Sequence, residues 1–174
     1  MICFNIKNHK GFTLIETLFA ILIFSAALIS LMAIAGRGIS ATNSAREQIT
    51  AHYLAQEGLE VIRNLRDNDM ATGWSNRFDF CTSDNPCFVN YQGGFDIPIV
   101  VKCGGQCPFV QTANGDFVDT GVDSPYLRTI TIEPLHKDDT LGFVDEYRIT
   151  SRVDWLAKTV KRSVTLETIL KKWQ

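Results

Sequence analysis

Residues 10–36 decide both the fold and the location of this chain. They begin Lys10-Gly11-Phe12-Thr13-Leu14-Ile15-Glu16 and continue from residue 17 to residue 36 without a charged side chain. A helix of these 20 uncharged residues is about 30 Å long, which is enough to cross the hydrocarbon core of a bilayer. A carboxylate beside such a run is costly, so Glu16 is a candidate functional residue. The sequence therefore predicts a membrane-spanning helix with an acid at its head.

The residues before this run indicate which end of the helix faces the cytoplasm. Residues 1–11 contain Lys7 and Lys10 and no acid. Excess lysine beside a span keeps that end in the cytoplasm, so the rest of the chain is predicted to face outward. Gly11 leaves its backbone open to a protease because it has no side chain. Glu16 falls in the first helical turn, where the positive end of the helix dipole favours an acid.

This combination of lysine, glycine, phenylalanine, glutamate and apolar run resembles the processing site of type IV pilins and type II secretion pseudopilins. Residues 53–60 resemble a segment common in their minor subunits, so the chain is most like a minor pilin. The resemblance implies that a prepilin peptidase cuts between Gly11 and Phe12 and that Phe12 is then N-methylated. It also implies that Glu16 pairs with the N-terminal amine of a neighbouring subunit during filament assembly.

The same resemblance implies partners and locations. The expected partners are other pilin subunits, the prepilin peptidase/methyltransferase, and the pilus or secretion assembly platform in the membrane. The expected location is the cytoplasmic (inner) membrane, crossed once with the N-terminus inside, and an extracytoplasmic or cell-surface filament after assembly. The expected organisation is a leader of residues 1–11, a transmembrane half-helix of residues 12–36, and an extracytoplasmic pilin-like domain of residues 37–174.

Other interpretations compete with this one. Ala33, Ile34 and Ala35 before Gly36 fit the small-x-small pattern cut by signal peptidase, although the apolar run is longer than usual and begins beside an acid. The run is also compatible with a plain anchor in which Glu16 is incidental. The alternative functions are a membrane-anchored extracytoplasmic binding domain that does not polymerise, and a DNA-uptake (competence) pilin.

The rest of the chain predicts an α+β fold, with a long N-terminal helix packed on an antiparallel β-sheet. Small or apolar residues recur on one helical stripe: Ala51, Leu54, Ala55, Gly58, Ile62 and Leu65. We therefore expect one helix from about Phe12 to about Arg66, transmembrane in its first half and amphipathic in its second. Gly58 either allows the sheet to approach closely or is one tolerated glycine in an ordinary amphipathic helix.

Alternation of apolar and polar residues predicts four strands joined as an antiparallel meander. Their expected ranges are residues 95–102, 126–133, 146–156 and 159–170. Pro134 is expected to end the second strand, and the turn between the last two is expected near Ala157 and Lys158. Residues 67–90 and 111–125 are rich in turn-forming polar side chains, so both are predicted to be mainly loop.

Five cysteines constrain the outer domain. Cys3 lies in the leader and would be lost with it, which leaves Cys81, Cys87, Cys103 and Cys107. An even number outside the membrane favours two disulfides, for which three connectivities are open. The local pairs Cys81–Cys87 and Cys103–Cys107 are favoured because each spans a turn-rich loop with proline or glycine in or beside it. A four-cysteine zinc site is the rival interpretation, although its spacings depart from the usual zinc knuckles.

Charge gives no reason to expect a nucleic-acid partner. The whole chain has a net charge of −2, and without the leader 15 basic and 19 acidic side chains remain. This balance gives no general affinity for nucleic acid. A basic C-terminal cluster is interpreted as a solvated strand face rather than a DNA site; it consists of Lys158, Lys161, Arg162, Lys171 and Lys172.

The sequence also lacks recognisable catalytic motifs. His9, His52 and His136 are scattered, and no Ser-His-Asp order, phosphate loop or dinucleotide fingerprint stands out. Asp116, Asp119 and Asp123 lack the spacing of a known calcium loop, so a solvated acidic loop is favoured over a calcium site. We therefore expect a structural protein with no enzymatic activity, no cofactor and no metal.

Overall fold

The computed structural model describes residues 11, 13–72, 81–90, 99–113, 116–118, 122–137 and 144–171. These residues contain one helix, α1 (Leu14–Thr72), and seven strands: β1 (Cys87–Asn90), β2 (Ile99–Lys102), β3 (Phe109–Ala113), β4 (Asp116–Val118), β5 (Val122–Lys137), β6 (Val144–Ala157) and β7 (Val160–Lys171). The predicted α+β class, with one long N-terminal helix and an antiparallel sheet, is confirmed. The chain divides into two compact units, Met1–Ser44 and Ala45–Gln174.

The first unit contains the apolar part of α1. Neither Gly36 nor Gly38 interrupts the helix, although glycine in a helix interior costs roughly 1 kcal/mol relative to alanine. An uninterrupted helix pairs every interior backbone N–H and C=O group, and an apolar environment requires this more strictly than water does. The helix ends at Thr72, six residues beyond the predicted end at Arg66.

In the second unit, β5 is the central strand of the sheet. One of its edges pairs with β6 from Tyr126↔Trp155 to Lys137↔Val144. Its other edge is shared by two short strands, β3 through Phe109↔Leu127 and β1 through Cys87↔Ile130. β2 pairs with the other edge of β1, β4 pairs with the other edge of β3, and β7 pairs with the other edge of β6. All these pairings are antiparallel.

The sheet differs from the predicted strands and loops in two respects. The predicted end of a strand at Pro134 is wrong, because β5 continues to Lys137 with a register shift after Pro134. Proline lacks an N–H, and an irregular register is where a strand accommodates that loss. The predicted loops are wrong in part, because residues 67–90 contain the end of α1 and all of β1, and residues 111–125 contain most of β3, all of β4 and the start of β5. Residues 95–98 of the first predicted strand lie outside the described residues.

The core of the second unit lies between α1 and one face of the sheet. The predicted helical stripe is buried: Ala51, Leu54, Ala55 and Ile62 are at most 2% exposed. One cluster of buried side chains joins Val61, Ile62, Cys81, Cys87, Val89, Ile130, Ile132, Tyr147, Ile149 and Leu170. A second joins Ala51, Leu54, Ala55, Tyr126, Val153 and Trp155. Burial of this stripe, rather than helix propensity, holds this part of α1 on the sheet.

Candidate functional site

Gly11 lies just before α1 and is exposed, outside any regular element. A Cβ atom built on Gly11 would meet nothing within 4 Å. The chain's own packing therefore gives no reason for a glycine at this position. Residues 1–10 and Phe12 lie outside the described residues, so the expected cut and the expected N-methylation remain predictions.

Thr13 caps the N-terminus of α1, and sequence analysis did not single it out. Its backbone carbonyl accepts hydrogen bonds from the N–H groups of Glu16, at 3.1 Å, and Thr17, at 3.2 Å. Its hydroxyl also accepts from the Glu16 N–H, at 3.4 Å. Threonine followed three residues later by glutamate is the signature of a capping box, so the signal was readable in the sequence.

The Glu16 carboxylate has no hydrogen-bond or ion-pair partner among the described residues. It stands in the first turn of α1, on an exposed side chain. Its position at the positive end of the helix dipole stabilises the charge only partly. The carboxylate is therefore available to a cation that this part of the chain does not supply.

The apolar segment that follows is exposed on every side. Large side chains around the whole circumference of α1 are more than two-fifths exposed, from Leu14 at 82% through Leu28 at 43% to Ile34 at 66%. Within the described residues there is one helix long and apolar enough to cross a membrane. A helix that is hydrophobic all round needs an apolar environment or partner.

The few hydroxyl groups in this segment are satisfied by the helix itself. Ser25 donates to the Leu22 carbonyl at 2.9 Å, and Ser30 donates to the Ala27 carbonyl at 2.8 Å. Such back-bonding to the preceding turn removes the cost of placing a hydroxyl in hydrocarbon. The polar residues of the apolar run are therefore compatible with lipid on all sides.

Comparison with known protein families agrees with this geometry. The family model for the prokaryotic N-terminal methylation motif matches residues 6–34. The chain carries this motif. The motif is the class III signal sequence of type IV pilins, and the matched range includes Gly11, Phe12 and Glu16. No curated protein and no solved structure matched the chain.

The motif supports a type IV pilin-like, prepilin-type protein. Such a signal implies processing by a prepilin peptidase and assembly with other pilins. The apolar helix behind the signal fits anchoring in the inner membrane. Both inferences rest on residues 6–34 and on the helix that contains most of them.

A buried ion pair joins α1 to the sheet in the second unit. The Arg128 side chain is 2% exposed and donates from one terminal nitrogen to Glu57 Oε2 at 2.7 Å and to the Leu54 carbonyl at 3.1 Å. Burial lowers the pKa of the Arg128 guanidinium below its ordinary value, and the neighbouring Glu57 carboxylate opposes that shift. A charge this deeply buried persists only with such a partner. The sequence pattern did not mark Arg128, because arginine at an inward strand position breaks the apolar alternation.

The close approach expected at Gly58 is present beside this pair. A Cβ on Gly58 would lie 2.5 Å from Ser151 Oγ and 3.3 Å from Arg128 Cδ. Real Cβ atoms essentially never approach another atom as closely as 2.5 Å, so any larger residue here requires the Ser151 side chain or a neighbouring element to shift. Gly58 thus sets how near the helix lies to the sheet.

The four outer cysteines lie in the two local pairs that the sequence favoured. The Cα atoms are 5.3 Å apart in Cys81–Cys87 and 4.6 Å apart in Cys103–Cys107, and the sulfurs are at bonding distance in both pairs. The Cys81 carbonyl accepts a hydrogen bond from the Ile132 N–H at 2.6 Å. The first pair therefore fastens the chain that returns from α1 to the central strand β5.

The remaining candidate residues do not converge. Within the described residues no group of three or more His, Cys, Asp or Glu side chains could hold a metal ion. Asp123 accepts a hydrogen bond from the Gln111 side-chain amide at 3.2 Å, whereas Asp119 and His9 lie outside the described residues. His52 lies on α1 and His136 on β5.

The basic C-terminal cluster of the sequence is divided by the fold. Lys158 lies in the turn between β6 and β7, and Lys161 and Arg162 follow it at the start of β7. Lys171 lies at the other end of β7, where it forms an ion pair with Glu146. Lys172 lies outside the described residues. The cluster is therefore a turn with three cations plus a separate lysine about 30 Å away along the strand.

Proposed function

We propose that this chain is a minor pilin or pseudopilin, a structural subunit of a type IV pilus or type II secretion-like filament. In this proposal the leader is cut between Gly11 and Phe12, Phe12 is N-methylated, and the subunit is assembled from the inner membrane. The observation that carries the proposal is the methylation motif at residues 6–34, which leads directly into a helix with its apolar surface exposed all round.

The exposed helix supports assembly because its apolar surface must be covered in every state of the protein. Lipid covers it before assembly, and the equivalent helices of other subunits cover it in the filament. Removing the leader takes away Lys7 and Lys10, which hold the N-terminus at the cytoplasmic surface. Extraction from the membrane then no longer requires moving those two charges.

The Glu16 carboxylate, which has no partner among the described residues, supports a specific contact in the filament. After cleavage, Phe12 carries a new amine, and an amine in an apolar filament core needs a nearby carboxylate to offset its desolvation. Glu16 is the only acid between Phe12 and Arg46, so no other side chain of the span can replace it. The proposed partner of Glu16 is the Phe12 amine of a neighbouring subunit.

The second unit, Ala45–Gln174, which we name the outer unit, is proposed to be structural and non-enzymatic. Its described polar side chains form ion pairs and hydrogen bonds that hold α1 to the sheet, such as Arg128 with Glu57. The pilin-like fold and the signal motif support the same view. We therefore assign the unit the role of a surface module on the filament.

The first experiment tests processing. The Gly11→Val variant should remain uncut when it is produced with a prepilin peptidase, because a β-branched side chain obstructs a bond that is otherwise bare. The intact mass of the purified protein measures the outcome. Gly36→Val is a matched control, since a Cβ there also meets nothing within 4 Å, and this variant should mature normally. Normal maturation of Gly11→Val, or a natural N-terminus at Gly36 instead of Phe12, would contradict the proposal.

The second experiment tests assembly. Glu16→Gln keeps the length and hydrogen-bonding capacity of the side chain but removes its charge, so it should insert and be cut normally yet enter sheared fibres less than the wild type. Thr13→Ala is the control, because it removes the capping hydroxyl and leaves the Glu16 charge. Immunoblots of fibres at equal membrane levels compare the three proteins. Equal incorporation of Glu16→Gln and wild type would favour the plain anchored-domain interpretation.

A further inference from the structure

The two disulfides of the outer unit differ in their surroundings. Cys81 and Cys87 are 0% exposed and belong to a buried core cluster with Ile130. Cys107 is 6% exposed, Cys103 is half-buried, and neither belongs to a core cluster. While the core is closed, a reagent in solution therefore comes near only the second disulfide.

The loop that Cys103–Cys107 closes stands in solvent. Gly104, Gly105 and Gln106 are exposed, and a Cβ atom built on either glycine would meet nothing within 4 Å. Both glycines have a positive φ, 61° and 136°, so the backbone turns here without side chains that would shield the sulfurs. Attack of a thiolate on a disulfide depends on such access.

The strands on either side of this loop are paired without help from the disulfide. β2 is paired with β1 up to Lys102, and the Cys103 N–H donates to the Pro86 carbonyl at 2.9 Å. β3, which begins two residues after Cys107, pairs with β5. Opening the disulfide therefore frees only residues 103–107 and leaves the surrounding sheet in place.

The Cys81–Cys87 disulfide is held by the core on both sides. The Cys81 carbonyl accepts a hydrogen bond from the Ile132 N–H at 2.6 Å, and Cys87 is paired with Ile130 on β5. A reductant reaches these sulfurs only after β1 separates from β5. Such an opening of the core costs free energy, whereas an exposed loop needs no opening of this kind.

From these surroundings we propose that Cys103–Cys107 is a redox-active site, which an external dithiol reductant opens while the outer unit stays folded. One thiolate of the reductant attacks Sγ of Cys103, the more exposed cysteine. The disulfide bond breaks, and its electron pair leaves on Sγ of Cys107, which takes a proton from water. The second thiol of the reductant then displaces the Cys103 thiolate, which is protonated in turn. The dithiol is oxidised to a disulfide and Cys103–Cys107 is reduced to two thiols.

The site acts as a switch in one surface loop. The oxidised bond fixes residues 103–107, and its reduction releases them without removing a contact of the core clusters. The inference uses neither the filament role nor the membrane anchor, so it goes beyond the proposed function and can fail without it.

The first test compares the reduction rates of the two disulfides in the full oxidised chain in detergent. The chain is treated with dithiothreitol, quenched with N-ethylmaleimide at successive times and mapped by peptide mass spectrometry. Cys103–Cys107 should be reduced at least about tenfold faster than Cys81–Cys87. In urea that unfolds the chain, the rates should become similar. No reduction of Cys103–Cys107 in the folded chain, equal rates there, or a difference that persists in urea would overturn the inference.

The second test identifies the attacked sulfur. Brief treatment of the oxidised chain with glutathione, followed by N-ethylmaleimide, should place glutathione on Cys103 and maleimide on Cys107, because the first thiolate bonds to the sulfur that it attacks. Glutathione on Cys107 instead, or no adduct in the folded chain, would overturn the assignment.

The third test separates a switch from a structural bond. The Cys103→Ala, Cys107→Ala variant reproduces the opened loop, and the peptide that carries Ile132 should stay as protected from hydrogen exchange as in the wild type. The matched Cys81→Ala, Cys87→Ala variant removes two core side chains and should lose that protection. Lost protection in the first variant, or its failure to fold, would overturn the inference, because the bond would then be needed for the fold.

Discussion

Replacing Gly58 by alanine should destabilise the outer unit although alanine is the better helix former. The new Cβ would lie 2.5 Å from Ser151 Oγ, so the Ser151 side chain, α1 or β6 must shift. Overpacking of this kind costs about 1–3 kcal/mol, and the gain in helix propensity offsets roughly 1 kcal/mol of it. The expected net loss is up to about 2 kcal/mol in the free energy of unfolding, or up to roughly 6 °C in Tm.

Ser151→Ala provides the decisive second background. The Ser151 hydroxyl is buried and has no hydrogen-bond partner among the described residues, so its removal should be neutral or stabilising. Without Oγ, the nearest atoms to the new Cβ are Arg128 Cδ at 3.3 Å and Ser151 Cβ at 3.4 Å, which small shifts accommodate. Gly58→Ala should then be neutral or stabilise by up to about 1 kcal/mol.

Thermal unfolding of the full chain in detergent, followed by near-ultraviolet circular dichroism, measures this double-mutant cycle. The expected coupling energy between the two sites is about 1–3 kcal/mol. Gly38→Ala is the control for helix propensity alone, because a Cβ there meets nothing within 4 Å, and it should not lower Tm. An equal loss for Gly58→Ala in both backgrounds would refute the reasoning, since contact with Ser151 would not be the cause.

Three further predictions concern the outer unit. Glu57→Gln should lower the free energy of unfolding, measured by urea titration, by about 1–3 kcal/mol because it removes the anionic partner of buried Arg128. The control Glu60→Gln loses only an exposed ion pair with Arg63 and should cost less than about 1 kcal/mol in the same measurement. Burial and the Glu47 carboxylate raise the pKa of the Tyr126 hydroxyl above its usual 10.0, although a hydrogen bond to Thr50 opposes this rise. The stability linked to this proton is therefore present below pH 10 and is lost as the pH rises through the folded-state pKa. Urea titrations should show a smaller alkaline loss of unfolding free energy for Tyr126→Phe than for the wild type. The processed protein should show no free thiol until it is reduced and four afterwards, and four free thiols with bound zinc would contradict the disulfide pairs.

The apolar part of α1 followed from the sequence because one kind of side chain fills it. In lipid every backbone N–H and C=O group must form a hydrogen bond within the segment, so a single long apolar run is expected to be an α-helix. Glycines at 36 and 38 do not change that outcome. The cap at Thr13 was also readable, since a capping box depends on residues only three apart.

The strands of the outer unit were predictable where one face is buried along most of their length. β6 and β7 agree with the predicted ranges to within two residues at each end, and inward residues of β6 such as Tyr147, Ile149 and Val153 are buried. β1, β3 and β4 are only three to five residues long, so their alternation is too short to distinguish from loop. The continuation of β5 past Pro134 depends on a register shift against β6, which is a property of the pair rather than of one strand.

Arg128 shows most clearly why local pattern was insufficient at the helix–sheet contact. Its inward strand position predicts an apolar residue, and an unpaired guanidinium there would be strongly destabilising. The position is tolerable because α1 presents two acceptors at the same depth, the Leu54 carbonyl and the Glu57 carboxylate. Gly58, one residue further, brings the helix near enough for both to reach. Arg128 lies about 70 positions from its partners Leu54 and Glu57, so the sequence around Arg128 alone does not explain why an arginine is tolerated there. The explanation appears only when α1 lies on β5 and β6. We therefore expect the pair to help fix the register of α1 on the sheet, because an apolar stripe alone does not require one alignment.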